Sequence, residues 1–162
     1  MKDEKGHLPQ GRPRRVLLPQ GWQRRILAAA AAALAGNLLM AVIPWPGHMI
    51  SAYEETMGPA VMRGAGFLWE TLVLAPVLEE AVFRLILYGW LRRFMASLPA
   101  ALISSLAFGI YHGNWIQGIY AFCLGMVLAW GYEDSGYRRY PMAVLMHGAA
   151  NLAALAVYGG SA

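Results

Sequence analysis

The sequence has little cysteine and little charge, and both shortages narrow the class of protein. Cys123 is the single cysteine, so the chain forms no internal disulfide and cysteine pairing indicates no redox compartment. Its neighbours are apolar, which indicates a packing or lipid-facing side chain, because a thiolate nucleophile needs an electropositive site. Charged residues make up 14% of the chain, whereas a soluble domain has roughly 25%. An ordinary water-soluble fold is therefore excluded.

The chain instead has long apolar runs. Apolar residues account for 58% of its 162 residues, and this length suits one domain. A helix needs about 20 mostly apolar residues to cross a bilayer. We expect an all-α fold, a polytopic integral membrane helical bundle with about five transmembrane spans. The predicted spans cover residues 26–43, 59–91, 98–111, 115–131 and 141–158, with a loop at 44–58.

The run at 59–91 is unusually long. As one helix it would reach roughly 50 Å, well beyond a hydrocarbon core of about 30 Å. It must therefore tilt, protrude from the membrane, or break near Pro76, since prolines are a common cause of helix kinks. A break there would raise the number of spans from five to six.

The basic residues are grouped. Eleven of the 13 Lys and Arg lie in three segments: seven in residues 1–25, two at 92–93 and two at 138–139. With five spans and the N-terminus inside, all three segments are cytoplasmic, as the positive-inside rule requires. We expect a basic, mostly disordered cytoplasmic tail at 1–25 that is attracted to anionic lipid, a transmembrane domain at 26–158, and an outer C-terminus. We expect the basic residues to contact the lipid bilayer and not nucleic acid. The expected location of the protein is the bacterial inner membrane.

Several ionisable residues lie at or within the predicted spans, where each costs roughly 2.5–3.5 kcal/mol to insert. They are Glu70, Glu79, Glu80, Arg84, His112 and His147. Glu80 and Arg84 are four residues apart with the acid first, so they can pair on one helix face. Glu79 points about 100° away from that face. The pattern indicates a structural pair beside a glutamate without that partner.

The histidines lie on other spans. His112 is near a helix end, one turn after Phe108, and His147 shares a helix face with Asn151. Packing the spans together would bring these groups and Glu79 into one polar pocket. Each also has a structural interpretation, since a lone histidine in a span is often a hydrogen-bonded core residue and the His147–Asn151 pair can join helices.

Two chemistries fit such a pocket. In the first, Glu79 and His112 hold a water that Glu79 deprotonates, and His147 and Asn151 stabilise an oxyanion. In the second, Glu79, His112 and His147 bind a zinc ion with one position open for water. The His-Glu-x-x-His signature of many zinc proteases is absent.

Three short motifs occur in order, each in an apolar run. They are Glu-Glu-x-x-x-Arg at 79–84, Phe-x-x-x-His at 108–112 and His-x-x-x-Asn at 147–151. Together they resemble the CPBP family, also called the Abi family, which includes the CAAX prenyl endopeptidases and bacteriocin-processing or immunity proteins. The resemblance covers about residues 68–158. It implies a polytopic helical fold that hydrolyses peptide bonds within the membrane.

The resemblance also implies roles for the motif residues. It makes Glu79 the general base and His112 the residue that helps to hold the water. It places His147 and Asn151 on the oxyanion side. The other motif residues, which are expected to support the site, are Glu80, Arg84 and Phe108. The glutamate-type mechanism is the better supported one in the family, so we expect no cofactor, with zinc as the alternative.

The expected function is an intramembrane endopeptidase acting on a membrane-associated polypeptide, such as a substrate that carries a C-terminal sorting signal. The chain is short and has Leu85 where many members have glycine, so the prenylated CAAX substrate is not carried over. One alternative is a catalytically silent immunity or scaffold protein of the same fold. Another is a proton- or solute-conducting protein, which predicts a continuous polar path across the bilayer. No residue pattern specifies an oligomeric state.

Overall fold

The computed structural model describes residues 17–61 and 65–158, and its regular secondary structure within these ranges is helical. Residues 1–16 of the predicted basic tail lie outside the described residues. The first helix begins at Trp22, within the last residues assigned to that tail, and the division into tail and transmembrane domain stays a prediction. The helical elements are α1 (Trp22–Val42), α2 (Gly47–Val61), α3 (Ala65–Trp69), π1 (Glu70–Leu74), α4 (Ala75–Glu80), π2 (Ala81–Tyr88), α5 (Gly89–Leu91), α6 (Ser97–Tyr111), α7 (Trp115–Asp134) and α8 (Arg139–Tyr158).

Three helices in the described ranges are long and apolar enough to cross a membrane. They are Trp22–Val42, Trp115–Asp134 and Arg139–Val157. The apolar helix Ser97–Tyr111 is shorter. The all-helical architecture is thus confirmed for the described residues, while the count of five spans stays a prediction.

The predicted loop at 44–58 is wrong in most of its length. Pro44 and Pro46 do separate α1 from the next element, but α2 begins at Gly47. The carbonyl of Pro46 accepts hydrogen bonds from the backbone N–H groups of Met49 and Ile50. A proline is well tolerated at a helix start, where its missing N–H needs no partner. Pro46, which lies in the break between the two helices, therefore also begins α2.

The predicted run at 59–91 is divided differently from the expectation. Its first residues belong to α2, and an unbroken helix then extends from 65 to 91 through five consecutive elements. We call residues 65–91 the segmented helix. It does not break at Pro76, which is fully buried in the first turn of α4. Instead, the helix widens into a π segment just before the proline.

Pro76 explains why one backbone carbonyl in that π segment lacks a helical partner. The N–H of Ala75 donates to the carbonyl of Glu70, five residues earlier, which is the spacing of a π-helix. The next bond in this series would join the N–H of residue 76 to the carbonyl of Thr71. Proline has no N–H, so the Thr71 carbonyl must find its partner elsewhere.

The bundle is closed by small residues and by one tightly packed seam. Helix α1 packs on α7 and α8, and α6 packs on α7. Ala29 and Ala33 of α1 are completely buried. At the α6–α7 seam, a Cβ added to Gly109 would lie 2.6 Å from the carbonyl oxygen of Gly118. Small side chains let helix backbones approach in this way in membrane proteins, and the approach holds the motif residues of α6 near those of the other helices.

Candidate active site

The predicted site residues converge on one cavity. Glu79, His112, His147 and Asn151 all line a partly enclosed cavity of about 380 Å³ between α1, the segmented helix, α6, α7 and α8. The three motifs are far apart in sequence, so the fold brings together groups that only tertiary packing could join. Their placement agrees with the predicted polar pocket, and their chemical roles stay predictions.

His147 lies between the two adjacent glutamates. Its Nδ1 is 2.9 Å from Oε1 of Glu80, and its Nε2 is 3.6 Å from Oε2 of Glu79. Glu80 is completely buried, whereas the Glu79 side chain keeps 16% of its exposure. Both ring nitrogens can donate only when the imidazole is protonated. The histidine thus links the buried carboxylate to the one that reaches the cavity.

Arg84 lies behind this histidine. Its Nη1 is 3.3 Å from Oε1 of Glu80, which confirms the pair predicted from the four-residue spacing. Its Nη2 donates to the carbonyl of Gly125 at 3.1 Å, and its guanidinium lies 4.5 Å from the ring centre of Phe108. A Cβ on Gly125 would lie 3.0 Å from Nη2 and from the Ser105 hydroxyl. Glycine at 125 therefore makes room for the guanidinium.

His112 has a defined orientation. Its Nδ1 is 2.8 Å from the carbonyl oxygen of Phe108. A carbonyl only accepts, so Nδ1 carries the hydrogen and, in the neutral ring, Nε2 is an acceptor. The Phe108 ring meets His112 and His147 edge-on, with ring centres 4.8 Å and 5.7 Å apart. One aromatic side chain thus packs against both histidines.

Asn151 provides the partner that Thr71 lacks. The Asn151 Nδ2 donates to the Thr71 carbonyl at 2.8 Å. One of its two amide hydrogens is used in this bond, and the second remains for another acceptor. The sequence analysis did not single out Thr71, because in an ordinary α-helix Pro76 would affect the carbonyl of residue 72, and only the π spacing of the structure moves the effect to Thr71.

The zinc alternative requires Glu79, His112 and His147 to face one metal position. Among residues 17–61 and 65–158, no three His, Cys, Asp or Glu side chains form a group suited to a metal ion. His112 directs Nδ1 to a backbone carbonyl, and both nitrogens of His147 face carboxylates. In this arrangement Glu79, His112 and His147 do not form a ligand set, and we derive no step through a metal.

Other residues complete the cavity wall. Those from α1, α2 and the start of the segmented helix were not predicted as site residues: Asn37, Met40, Tyr53, Phe67, Glu70 and Thr71. From α7, Gln117 and Tyr120 add polar atoms to the wall. No sequence motif marks these positions, because only the tertiary packing of the helices brings them to the site.

The chain matches a model of a known protein family. The family model described as type II CAAX prenyl endopeptidase Rce1-like matches residues 62–153. This stretch covers more than half of the chain and contains the Glu79–Glu80 pair, Arg84, His112, His147 and Asn151. No curated protein and no solved structure matches the chain.

Proposed function

The chain belongs to the Rce1-like family of type II CAAX prenyl endopeptidases, and on that basis we propose that it hydrolyses a peptide bond within the membrane with a water activated by Glu79. Membership in this family and the three long apolar helices make it a membrane protein of protease ancestry. The observation that carries the proposal is the Glu79 carboxylate, which reaches the same cavity as His112, His147 and Asn151.

The first step is activation of the water. Glu79 and the free Nε2 of His112 both accept hydrogen bonds, so together they can bind the two hydrogens of one water. Glu79 takes a proton as the water oxygen attacks the carbonyl carbon of the substrate, and the carbonyl oxygen becomes an oxyanion. When the C–N bond breaks, the same proton passes from Glu79 to the leaving amine. The carboxylate is then restored for another turnover.

The oxyanion is stabilised by donors on α8. His147 Nε2 faces Glu79 at 3.6 Å, and Glu79 becomes neutral when it takes the proton. Because Nδ1 donates to Glu80, this role requires the protonated imidazole, in which Nε2 also carries a hydrogen. That Nε2–H no longer faces a carboxylate at the moment the oxyanion forms. The second N–H of Asn151 is the other donor. Removing one such preorganised donor lowers the rate of catalysis by roughly 10²–10³-fold.

Glu80 and Arg84 support the site from behind. Glu80 accepts from His147 Nδ1, and Arg84 lies 3.3 Å from the same carboxylate oxygen. Glu80 thereby fixes the orientation of the imidazole, and Arg84 compensates the charge of Glu80. We propose that both are positioning residues and that neither touches the substrate.

The proposed topology has five spans: α1, the segmented helix, α6, α7 and α8. Helix α2 then joins the first two spans without crossing. An inner N-terminus follows from the position of the basic segments, and an outer C-terminus follows from an odd number of crossings.

The proposal is tested by reconstituting the purified protein in liposomes with a library of membrane-anchored peptides. The wild type should cleave members of the library, and Glu79→Gln should not, although it folds and reconstitutes equally well. Cleavage by Glu79→Gln at the wild-type rate would overturn the role of Glu79. A wild type that cleaves nothing would favour the alternative of a silent immunity or scaffold protein.

A further inference from the structure

We propose that the active-site cavity opens on the extracytoplasmic side of the membrane. Its substrate is then a membrane-anchored polypeptide whose scissile bond is presented from the outer face, and not a cytoplasmic C-terminal tail. The orientation of the cavity follows from the fold and the charge distribution alone. The substrate class rests in addition on the proposed function.

The cavity lies toward one end of the bundle. From Glu79 and His147 near the middle of their helices, its wall continues along five elements toward the same end. The residues that mark this end are Met40 near the end of α1, Tyr53 of α2, Phe67 near the start of the segmented helix, Gln117 near the start of α7 and Leu155 near the end of α8. The opening is thus at the end where α1 finishes and α7 begins.

The opposite end of the same helices carries an arginine cluster. Arg24 and Arg25, at the start of α1, both lie 2.6 Å from the Asp134 carboxylate at the end of α7. Arg92 and Arg139 contact Glu133 at 2.9 Å and 3.6 Å. The remaining members are Arg93 and Arg138. We call these six residues the arginine end of the bundle.

Within the described residues the basic side chains are concentrated at one end of the bundle, where Glu133 and Asp134 also lie; Arg63 lies outside the described residues. Every Lys or Arg in residues 17–61 and 65–158 lies at the arginine end, apart from the buried Arg84. The elements at the opening carry Glu54, Glu55 and Glu70. Arg92, Arg93 and Arg138 lie in short connections between helices, and Arg139 is the first residue of α8. The positive-inside rule applies to such short loops and the adjoining helix ends. The arginine end is therefore cytoplasmic and the opening is extracytoplasmic.

Within the part of the chain that the structure describes, the arginine end offers no comparable route to Glu79. On the side of Glu79 that faces the arginine end, Glu80, Arg84 and Phe108 are almost completely buried. Nearer the arginine end, Tyr88 and Tyr132 pack with ring centres 5.7 Å apart and are also buried. A substrate must therefore reach Glu79 from the outer end. Glu79 lies roughly 20 Å along the helix from Ala65, so the substrate segment must enter the outer half of the membrane.

Orientation is tested with single cysteines in the full-length chain. Cys123 is replaced by Ala, and Ser51→Cys on α2 or Ser97→Cys at the start of α6 is introduced. Both serines are exposed, and they lie at the cavity end and the arginine end respectively. In spheroplasts, a membrane-impermeant maleimide should label the cysteine at 51 and should label the cysteine at 97 only after permeabilisation. The reverse pattern would overturn the proposal.

The substrate class is tested with two libraries of single-span reporters. Both carry the same randomised segment, which flanks the span on its outer side in one library and on its cytoplasmic side in the other. Cleavage by the wild type, but not by Glu79→Gln, should be confined to the outer library. Cleavage confined to the cytoplasmic library would overturn the proposed substrate class. Cleavage in neither library, with labelling as expected, would overturn the proposed function and the substrate class while the orientation stood.

Discussion

The side-chain amide of Asn151 donates a 2.8 Å hydrogen bond to the backbone carbonyl of Thr71. This bond joins α8 to the π segment that precedes Pro76, where the proline removes the N–H that would otherwise bind that carbonyl. Asn151 therefore has a structural task in addition to the oxyanion role we propose for it. The two tasks can be separated by experiment because only one of them depends on Pro76.

We predict that Asn151→Ala lowers stability by about 1–3 kcal/mol, since it leaves the Thr71 carbonyl without a partner. In a Pro76→Ala background the restored N–H lets the helix satisfy its own carbonyls, and the same substitution should cost less. The measurement is thermal unfolding of the four proteins in detergent, treated as a double-mutant cycle. An equal cost in both backgrounds would contradict the link between Asn151 and Pro76.

The oxyanion role predicts a different result for activity. Asn151→Ala should reduce kcat by about 10²-fold or more in both backgrounds, because a lost oxyanion donor is not restored by a backbone N–H at residue 76. Single-turnover cleavage of a membrane-anchored peptide measures this. Recovery of the rate in the Pro76→Ala background would show that Asn151 acts only through the fold.

Glu79 and Glu80 are adjacent, yet we predict that substitution of Glu79 mainly lowers activity and substitution of Glu80 mainly lowers stability. Glu79→Gln should reduce the cleavage rate by at least about 10²-fold through loss of the base, with little change in unfolding temperature. Glu80→Gln should lower stability by about 3 kcal/mol, because it leaves Arg84 buried without its counter-charge. It should also alter the pH profile of cleavage, since Glu80 orients His147.

The comparison requires both substitutions in the same lipid and the same assay. Equal losses of activity with unchanged unfolding temperatures would contradict the division of roles between the two glutamates. An unchanged pH profile in Glu80→Gln would show that Glu80 contributes only to stability.

Gly125 is predicted to be required for the position of Arg84. A methyl group at 125 would lie 3.0 Å from Arg84 Nη2 and from the Ser105 side chain, so Gly125→Ala should destabilise the protein by about 1–3 kcal/mol. Gly66→Ala is the matched control, because no described atom lies within 4 Å of a Cβ there. Thermal unfolding should show the loss for Gly125→Ala alone. Equal unfolding temperatures for the two variants would contradict this account.

Arg24 and Arg25 provide a matched pair at the arginine end of the bundle. Both lie 2.6 Å from Asp134, but the side chain of Arg24 is 63% exposed and that of Arg25 is 3% exposed. Arg25 also donates to the backbone carbonyls of Gln20 and Asp134. We predict that Arg24→Gln costs less than about 1 kcal/mol and Arg25→Gln about 3 kcal/mol. Equal costs in thermal unfolding would contradict the distinction.

Local spacing predicted the parts of the site that lie on one helix, and packing determined the rest. The Glu80–Arg84 pair follows from a four-residue separation. The bond from His147 to Glu80 joins residues 67 positions apart, and no periodicity encodes it. Helix α2 was missed because Pro44, Pro46 and Gly47 indicate a loop, although a proline is also a good start for a helix.

The measurement that tests the central claim most directly is the activity of metal-free protein. Metal content is determined in purified, active protein, and cleavage of a membrane-anchored peptide is then followed in excess chelator, with Glu79→Gln as the negative control. We predict full activity without stoichiometric zinc, because Glu79 itself activates the water. Activity that disappears with the chelator and returns with zinc would contradict that mechanism and make Glu79, His112 and His147 metal ligands.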